Sequence, residues 1–234
     1  MNSETKVISI ILAITALVII VGLSLTKSNG AKSGIELNSN ILIASTTPIQ
    51  GNNNASVSIV EFADFACPAC AMLHPNLTAA LAPYIGAEAS SSTSTPSVSY
   101  ALRLIPIHGN DSIFSAMAAF AAGKENKFFE MGSILLEKQT EWAGKPEARQ
   151  KELFIGYAKT LGLNIQSFTA LLDSPDFKKE ITTILTADNA DAAKMNIAST
   201  PTLIINGTKA LVGVQSTETI KKTIETEIKA AQLQ

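Results

Sequence analysis

The sequence predicts an α/β domain interrupted by a helical insertion and preceded by a single N-terminal membrane-spanning helix. Three observations predict it. A strand-like run, Ser56 to Phe65, passes directly into a Cys-Pro-Ala-Cys unit and then a helical pattern. Strand signals return late, after residue 200, with helical periodicity filling most of the space between. At the other end, Val7 to Leu25 reads VISIILAITALVIIVGLSL without one charged residue, and nineteen such residues can span a bilayer.

That apolar block is an anchor or a cleaved secretory signal. A signal's apolar region usually runs only about 7–15 residues and ends at a small-x-small site, which Ser28-Asn29-Gly30 matches poorly. Lys6 on one side and Lys27 and Lys32 on the other leave the positive-inside rule undecided. Either reading carries the rest of the chain across a membrane. Residues 1–25 are therefore assigned to the anchor or signal, and 26–54, rich in Ser, Asn, Thr and Gly, to a flexible linker. Ile41-Leu42-Ile43 could add a short strand near the linker's end.

The domain then occupies 55–234. SVSIVEFADF reads as a central strand, and Pro68 to about Ile85 as a helix with Met72/Leu73, Leu77, Ala80/Leu81 and Tyr84 on one face. Proline suits a first helical turn, where its missing N–H has no partner to lose. Ala87 to Ser97 is a Ser/Thr-rich loop, and Val98 to Ile105 a second strand ending at Pro106. Helices are expected over Ile113–Ala122, Lys127–Lys138, Pro146–Leu161 with Gly162 as stop, Ile165–Leu172, and Pro175–Met195 behind a Ser174 cap. They make up the insertion, about 108–196. Thr202–Ile205 and Lys209–Val212, bridged at Asn206-Gly207, form a hairpin with a type I′ turn. Ile220, Ile224 and Ile228 mark the face of a closing helix that starts at Ser216.

A net charge of −2, with 18 basic and 20 acidic residues, gives no basis for nucleic-acid binding. The chemistry lies in the two cysteines. Cys67 and Cys70 are the only ones in the chain and stand three apart where a strand hands over to a helix. There the helix N-terminus stabilises a thiolate at Cys67, and Cys70, one turn further in, is more buried. A zinc site would require about four ligands, and beyond the two thiols the chain offers only His74 and a distant His108. A structural disulfide closing so short a loop would remove little unfolded-state entropy. Thiol–disulfide exchange is the leading chemistry, and no metal or cofactor is implied.

VEFADFACPAC, followed after the insertion by STPTLIING and a C-terminal helix, resembles the DsbA-like thioredoxin-fold oxidoreductases, especially membrane-tethered bacterial members. The resemblance covers Ser56 to Gln234. It implies a thioredoxin fold with a helical subdomain, Cys67 as exposed nucleophile and Cys70 as resolving thiol. It also implies a cis-proline at Pro201 facing them, with Pro68, Ala69, Thr200 and Pro201 contacting the bound peptide. Glu61, six residues before Cys67, takes the place of the family's buried acid, which would shuttle a proton to Cys70; the residue pattern alone equally allows an exposed edge-strand position. Asp64 is expected to face solvent or cap the loop, and His74 to pack under the helix without a catalytic role. Trp142 is either a subdomain contact or a substrate-facing aromatic. The strongest oxidants of the family carry histidine where this chain has Ala69, which implies a higher Cys67 pKa and a less oxidising disulfide.

The expected function is oxidation of dithiols in exported proteins or peptides by a membrane-anchored domain on the extracytoplasmic side of a bacterial envelope, with a cleaved secreted form as the variant reading. A membrane redox partner would regenerate the disulfide. The alternatives are a reductase or isomerase, and a tethered peptide-holding or assembly module with little redox activity.

Overall fold

The computed structural model describes residues 35, 42–52, 55–85 and 98–233. The expected anchor at 7–25, most of the linker and the Ser/Thr-rich loop at 87–97 lie outside them. Among the described residues no helix is long and apolar enough to cross a membrane.

Five strands form one mixed sheet, β1 (Ile49–Gly51), β2 (Val57–Ala63), β3 (Val98–Leu104), β4 (Thr202–Ile205) and β5 (Lys209–Val212), in the order β1-β3-β2-β4-β5. β2 and β3 are parallel and joined through helix α1 (Pro68–Leu81), while β1, β4 and β5 each pair antiparallel to their neighbour. A parallel pair needs such a crossover, because a tight turn can only reverse the chain. The edge strand forms at Ile49–Gly51; of the run expected at 41–43, residue 41 lies outside the described residues and Leu42 and Ile43 form no strand. Leu42 is instead a buried core residue, packed with Val60, Phe62 and Ile204.

Alternation along β2 sorts its side chains onto two faces. Val57, Ile59 and Ala63 enter the core under α1 and the insertion, while Val60 and Phe62 enter a smaller core with Ala192, Met195 and Ile197. Glu61 therefore points to the α1 side, from a strand with neighbours on both edges. α1 stops at Leu81 rather than near Ile85, two residues before Pro83, which has no N–H to continue the ladder.

Six helices lie between β3 and β4: α2 (Asn110–Gly123), α3 (Phe128–Glu137), α4 (Gln139–Trp142), α5 (Glu147–Thr160), α6 (Ile165–Leu172) and α7 (Pro175–Lys194). α8 (Thr217–Ala231) closes the chain and packs its Ile220, Ile224 and Ile228 into the main core. Ser174 and Ser216 cap α7 and α8 through their hydroxyls, and Gly162 at φ +72° ends the turn after α5. Asn206 and Gly207 both have positive φ, as a type I′ turn requires. The short α4 had no counterpart in the sequence reading. Trp142 within it is fully buried, donates from Nε1 to Leu135 O at 2.8 Å, and meets Phe154 edge-on, so it is a subdomain contact.

One ion cluster is buried on the second face. Arg103 of β3, fully buried, donates through Nε and Nη2 to Asp188 Oδ1 at 2.9 and 2.6 Å, and through Nη2 to Asp191 Oδ2 at 2.9 Å. Asp188 also accepts the Leu104 N–H at 3.1 Å, which ties α7 to the sheet.

Candidate active site

Cys67 is the N-cap of α1, and its carbonyl accepts from the N–H groups of Cys70 and Ala71 at 3.0 and 3.2 Å. This lays the Cys70 thiol against the Cys67 sulfur at the start of the helix. Cys70 is completely buried, and Cys67 keeps only 6% of its surface. The nucleophile is thus less exposed than the sequence implied. Its neighbour Pro68 carries the exposure, and Ala69 is half-buried.

The two sulfurs are driven in opposite directions. Donation from the Cys70 thiol, followed by Thr200 and the N–H groups of Cys70 and Ala69, brings Cys67 down to about 5 against the opposing effect of burial. Cys70 is pushed far up, by the same thiol–thiolate bond, by burial and by the charge of Glu61. One sulfur is a thiolate at neutral pH; the other keeps its proton.

Across the site, the Thr200-Pro201 peptide is cis and both residues are buried. Cys67 Sγ lies 3.6 Å from Thr200 O, within reach of a hydrogen bond when the thiol is protonated, so the segment leading into β4 faces the helix N-terminus. Val212 to Gln215 closes the same side: Gly213 N–H reaches Pro201 O at 2.8 Å and Asn76 Nδ2 reaches Gln215 O at 2.9 Å. Val212 and Val214 are exposed there, and Met72 is exposed on α1. On the insertion side, a groove of about 780 Å³ runs from Pro68 along Ala71, Met72 and Pro75 to Leu136 and Thr140.

Glu61 is 97% buried, which excludes the edge-strand alternative, and it accepts a hydrogen bond from the Tyr100 hydroxyl. Burial is the largest cause that lifts its carboxyl to about 7; the Tyr100 bond works against that rise and the Cys67 charge adds to it. Tyr100 stays a neutral donor, its own ionisation suppressed by burial and the Glu61 charge. The tyrosine ring also lines a cavity of about 240 Å³ with Phe65, His74, Phe129 and Ser133.

Asp64 does not face solvent. It is buried and caps the redox loop, its Oδ1 accepting Ala66 N–H at 2.9 Å. Its Oδ2 takes the N–H groups of Ile107 and His108 at 3.1 and 3.2 Å and the Ser112 hydroxyl at 2.7 Å, and lies 2.8 Å from His108 Nδ1. The backbone of Asp64 meets both cysteines: its carbonyl accepts Cys67 N–H at 3.0 Å, and its N–H donates to Cys70 Sγ at 3.5 Å.

His74 is mostly buried at 3.9 Å from Glu137, and His108 sits on Asp64, so the two histidines serve separate carboxylates. Among the described residues no three His, Cys, Asp or Glu groups converge as a metal site.

Sequence reasoning missed the roles of Tyr100 and Gln139. Tyr100 becomes visible only through strand register: Ile59 pairs with Tyr100 and Glu61 with Leu102, so Tyr100 is a diagonal, same-face neighbour of Glu61. Gln139 has no local signal at all.

A family model described as Thioredoxin matches residues 44–226. The chain belongs to the thioredoxin family. Within it the chain is DsbA-like. Disulfide bond formation protein D of Bacillus subtilis is 26% identical over 189 residues, 78% of this chain and 77% of that protein. The crystal structure of oxidised BdbD from Bacillus subtilis superposes with a TM-score of 0.63 at 25% identity, covering 84% of this chain and 98% of that one. A third relative, Na(+)/H(+) antiporter NhaA 1 of Salinispora arenicola, is 30% identical over 162 residues. Those are 68% of this chain and 21% of the antiporter, so the chain spans about a fifth of that relative's length. The thioredoxin fold accounts for the β2–α1–β3 crossover and the cis-proline strand, with α2–α7 inserted between β3 and β4.

Proposed function

We propose that this protein is an extracytoplasmic thiol–disulfide oxidoreductase that oxidises dithiols of exported proteins through a Cys67–Cys70 disulfide. The observation that carries the reading is the divergence of the two sulfurs, Cys67 held near 5 at a helix N-terminus and Cys70 buried and driven up. A thiolate stabilised in the reduced state makes the corresponding disulfide more oxidising. At about 5, Cys67 lies between about 3.5 for DsbA and about 7 for thioredoxin, both worked values in the general account of cysteine reactivity. That suits an intermediate oxidant, in keeping with Ala69 where the strongest oxidants carry histidine.

In the forward reaction a substrate thiolate attacks Cys67 Sγ, the Cys67–Cys70 bond breaks, and Cys70 leaves as a thiolate. Glu61 supplies the proton that Cys70 requires; a carboxyl near 7 can give and regain it at working pH. The substrate's second thiolate attacks the substrate sulfur of the mixed disulfide and releases Cys67, a good leaving group because its thiolate is stable. Two electrons pass to the cysteine pair. A membrane partner accepts them and restores the disulfide.

Exposed Met72, in the groove that starts at Pro68, and exposed Val212, on the strand paired beside Thr202, suit the apolar segments of an unfolded polypeptide. The backbone at Thr200-Pro201 is placed to pair with such a segment as an added strand. Residues 1–25 serve as the membrane anchor; the domain begins before residue 55, since Leu42 lies in its core and Ile49–Gly51 is its edge strand, so the tether is shorter than 26–54. The nineteen-residue run Val7–Leu25, without a charged side chain and long enough to span a bilayer, supports the anchor.

The test is the equilibrium of the full chain, in detergent, with glutathione buffers and thiol trapping. A potential well above about −200 mV supports a disulfide donor, and one near about −270 mV, the value of thioredoxin, replaces it with a reductase. Failure of the bond to form favours the peptide-holding alternative. Cys70→Ser should accumulate a mixed disulfide on Cys67 with a dithiol peptide, and Cys67→Ser should not.

A further inference from the structure

We infer that Gln139, carried on the helical insertion, is a positioning residue that holds the redox loop and sets the reactivity of Cys67. The inference rests on the exchange function proposed above and deepens it. Gln139 is the first residue of α4, and it is buried against the redox loop with 6% of its surface exposed. Its Nε2 donates to Phe65 O at 2.6 Å and to Cys67 O at 3.0 Å. A carboxamide nitrogen has two hydrogens, and both are spent on the two residues that flank Ala66.

The physical consequence follows from where those carbonyls sit. The Cys67 carbonyl is the first acceptor of α1, and its oxygen carries partial negative charge within one residue of the reactive sulfur. Gln139 draws it, and the Phe65 carbonyl, toward the insertion. The Ala69 N–H, together with the Cys70 N–H that is shared with the Cys67 carbonyl, acts on Cys67 Sγ. Asp64 grips the other end of the same four-residue segment, joined to Ile107, His108 and Ser112 at the start of the insertion. The insertion thus holds residues 64–67 from both sides, once through a carboxylate and once through an amide. The titratable groups around Cys67 are Cys70 on α1, Glu61 on β2, and Asp64 in the loop with His108 behind it. Gln139 is neutral, so it acts through its dipole and through loop geometry.

Gln139→Met removes both donors and keeps the length of the side chain. In the reduced full chain, the Cys67 thiolate, followed by its absorbance at 240 nm, should titrate about one pH unit higher than in the parent. The equilibrium with glutathione should shift about tenfold toward the disulfide form, which corresponds to about 30 mV. A residue that only supports the fold would lower the unfolding midpoint and leave both quantities in place. Should Gln139→Met not fold, Gln139→Glu carries the test, since it keeps the amide's shape and loses the donors on ionisation. It should raise the thiolate titration further, because it also brings negative charge to the loop. An unchanged titration and a glutathione constant within twofold of the parent, in whichever variant folds, overturn the inference. The thiolate titration needs no substrate, so a parent protein that fails to exchange disulfides would remove the functional reading and leave this test standing.

Discussion

Replacing Glu61 with Gln should make the protein more stable at neutral and alkaline pH while slowing its chemistry. Glu61 is buried under α1, and its carboxyl is raised from 4.5 to about 7, chiefly by that burial. A raised acid is protonated in the fold where it is already ionised in the unfolded chain, so its contribution to stability is fully present below about pH 4.5 and is lost as pH rises to about 7. At about 1.4 kcal/mol per pH unit, that displacement costs the fold about 3 kcal/mol by pH 8. Glutamine stays neutral throughout and its carbonyl can still accept the Tyr100 hydroxyl. The two reduced proteins should therefore unfold at nearly the same urea concentration at pH 4. They should separate between about pH 4.5 and 7, with Glu61→Gln ahead by about 3 kcal/mol at pH 8. Opening of the disulfide by a dithiol at pH 7 should slow on the order of 10²-fold in the variant, because Cys70 then leaves without a proton donor. A stability difference that does not change with pH would refute the reasoning, since burial of a titrating carboxyl can produce only a pH-dependent one.

Three further outcomes are expected. Alkylation of reduced Cys67 by iodoacetamide should be nearly flat between pH 6 and 8 and fall below about pH 5, whereas an ordinary thiol with a pKa of about 8.5 would speed up more than tenfold over the first interval. Arg103→Met should cost about 3–5 kcal/mol in urea unfolding at pH 7, because it strands the buried Asp188 carboxylate, and the loss should shrink in acid as that carboxylate takes up a proton. Gly51→Ala should lower the unfolding midpoint: Gly51 has φ +91°, and an added Cβ would stand 2.5 Å from Val98 O.

The order of elements was legible because it is written in local periodicity and punctuation. α6 runs over Ile165–Leu172 as its pattern indicates, Ser174 and Ser216 cap the helices they precede, and Asn206-Gly207 turns the hairpin. The phase of α7 was legible too, with Phe177, Ile181, Leu185 and Asp188 all inward. What the pattern could not say was why an aspartate should hold a core position; its partner Arg103 lies 85 residues earlier, on a strand. The short α4 escaped because four residues are too few to show a period.

By itself the sequence determined that the chemistry resides in two thiols one helical turn apart, at a strand-to-helix junction with proline between them. Spacing, element type and the absence of any other cysteine are all local or countable properties. Only the tertiary structure decided how those thiols are tuned. It placed Glu61 in the interior by giving β2 neighbours on both edges, and set Tyr100 against it by strand register. It turned Asp64 inward to meet a loop more than forty residues away, and brought Gln139 back across seventy-two residues to the Cys67 carbonyl. Each of these depends on which distant segment supplies burial or a hydrogen-bond partner, and such partners are fixed by packing between elements, to which the periodicity of any one element is blind.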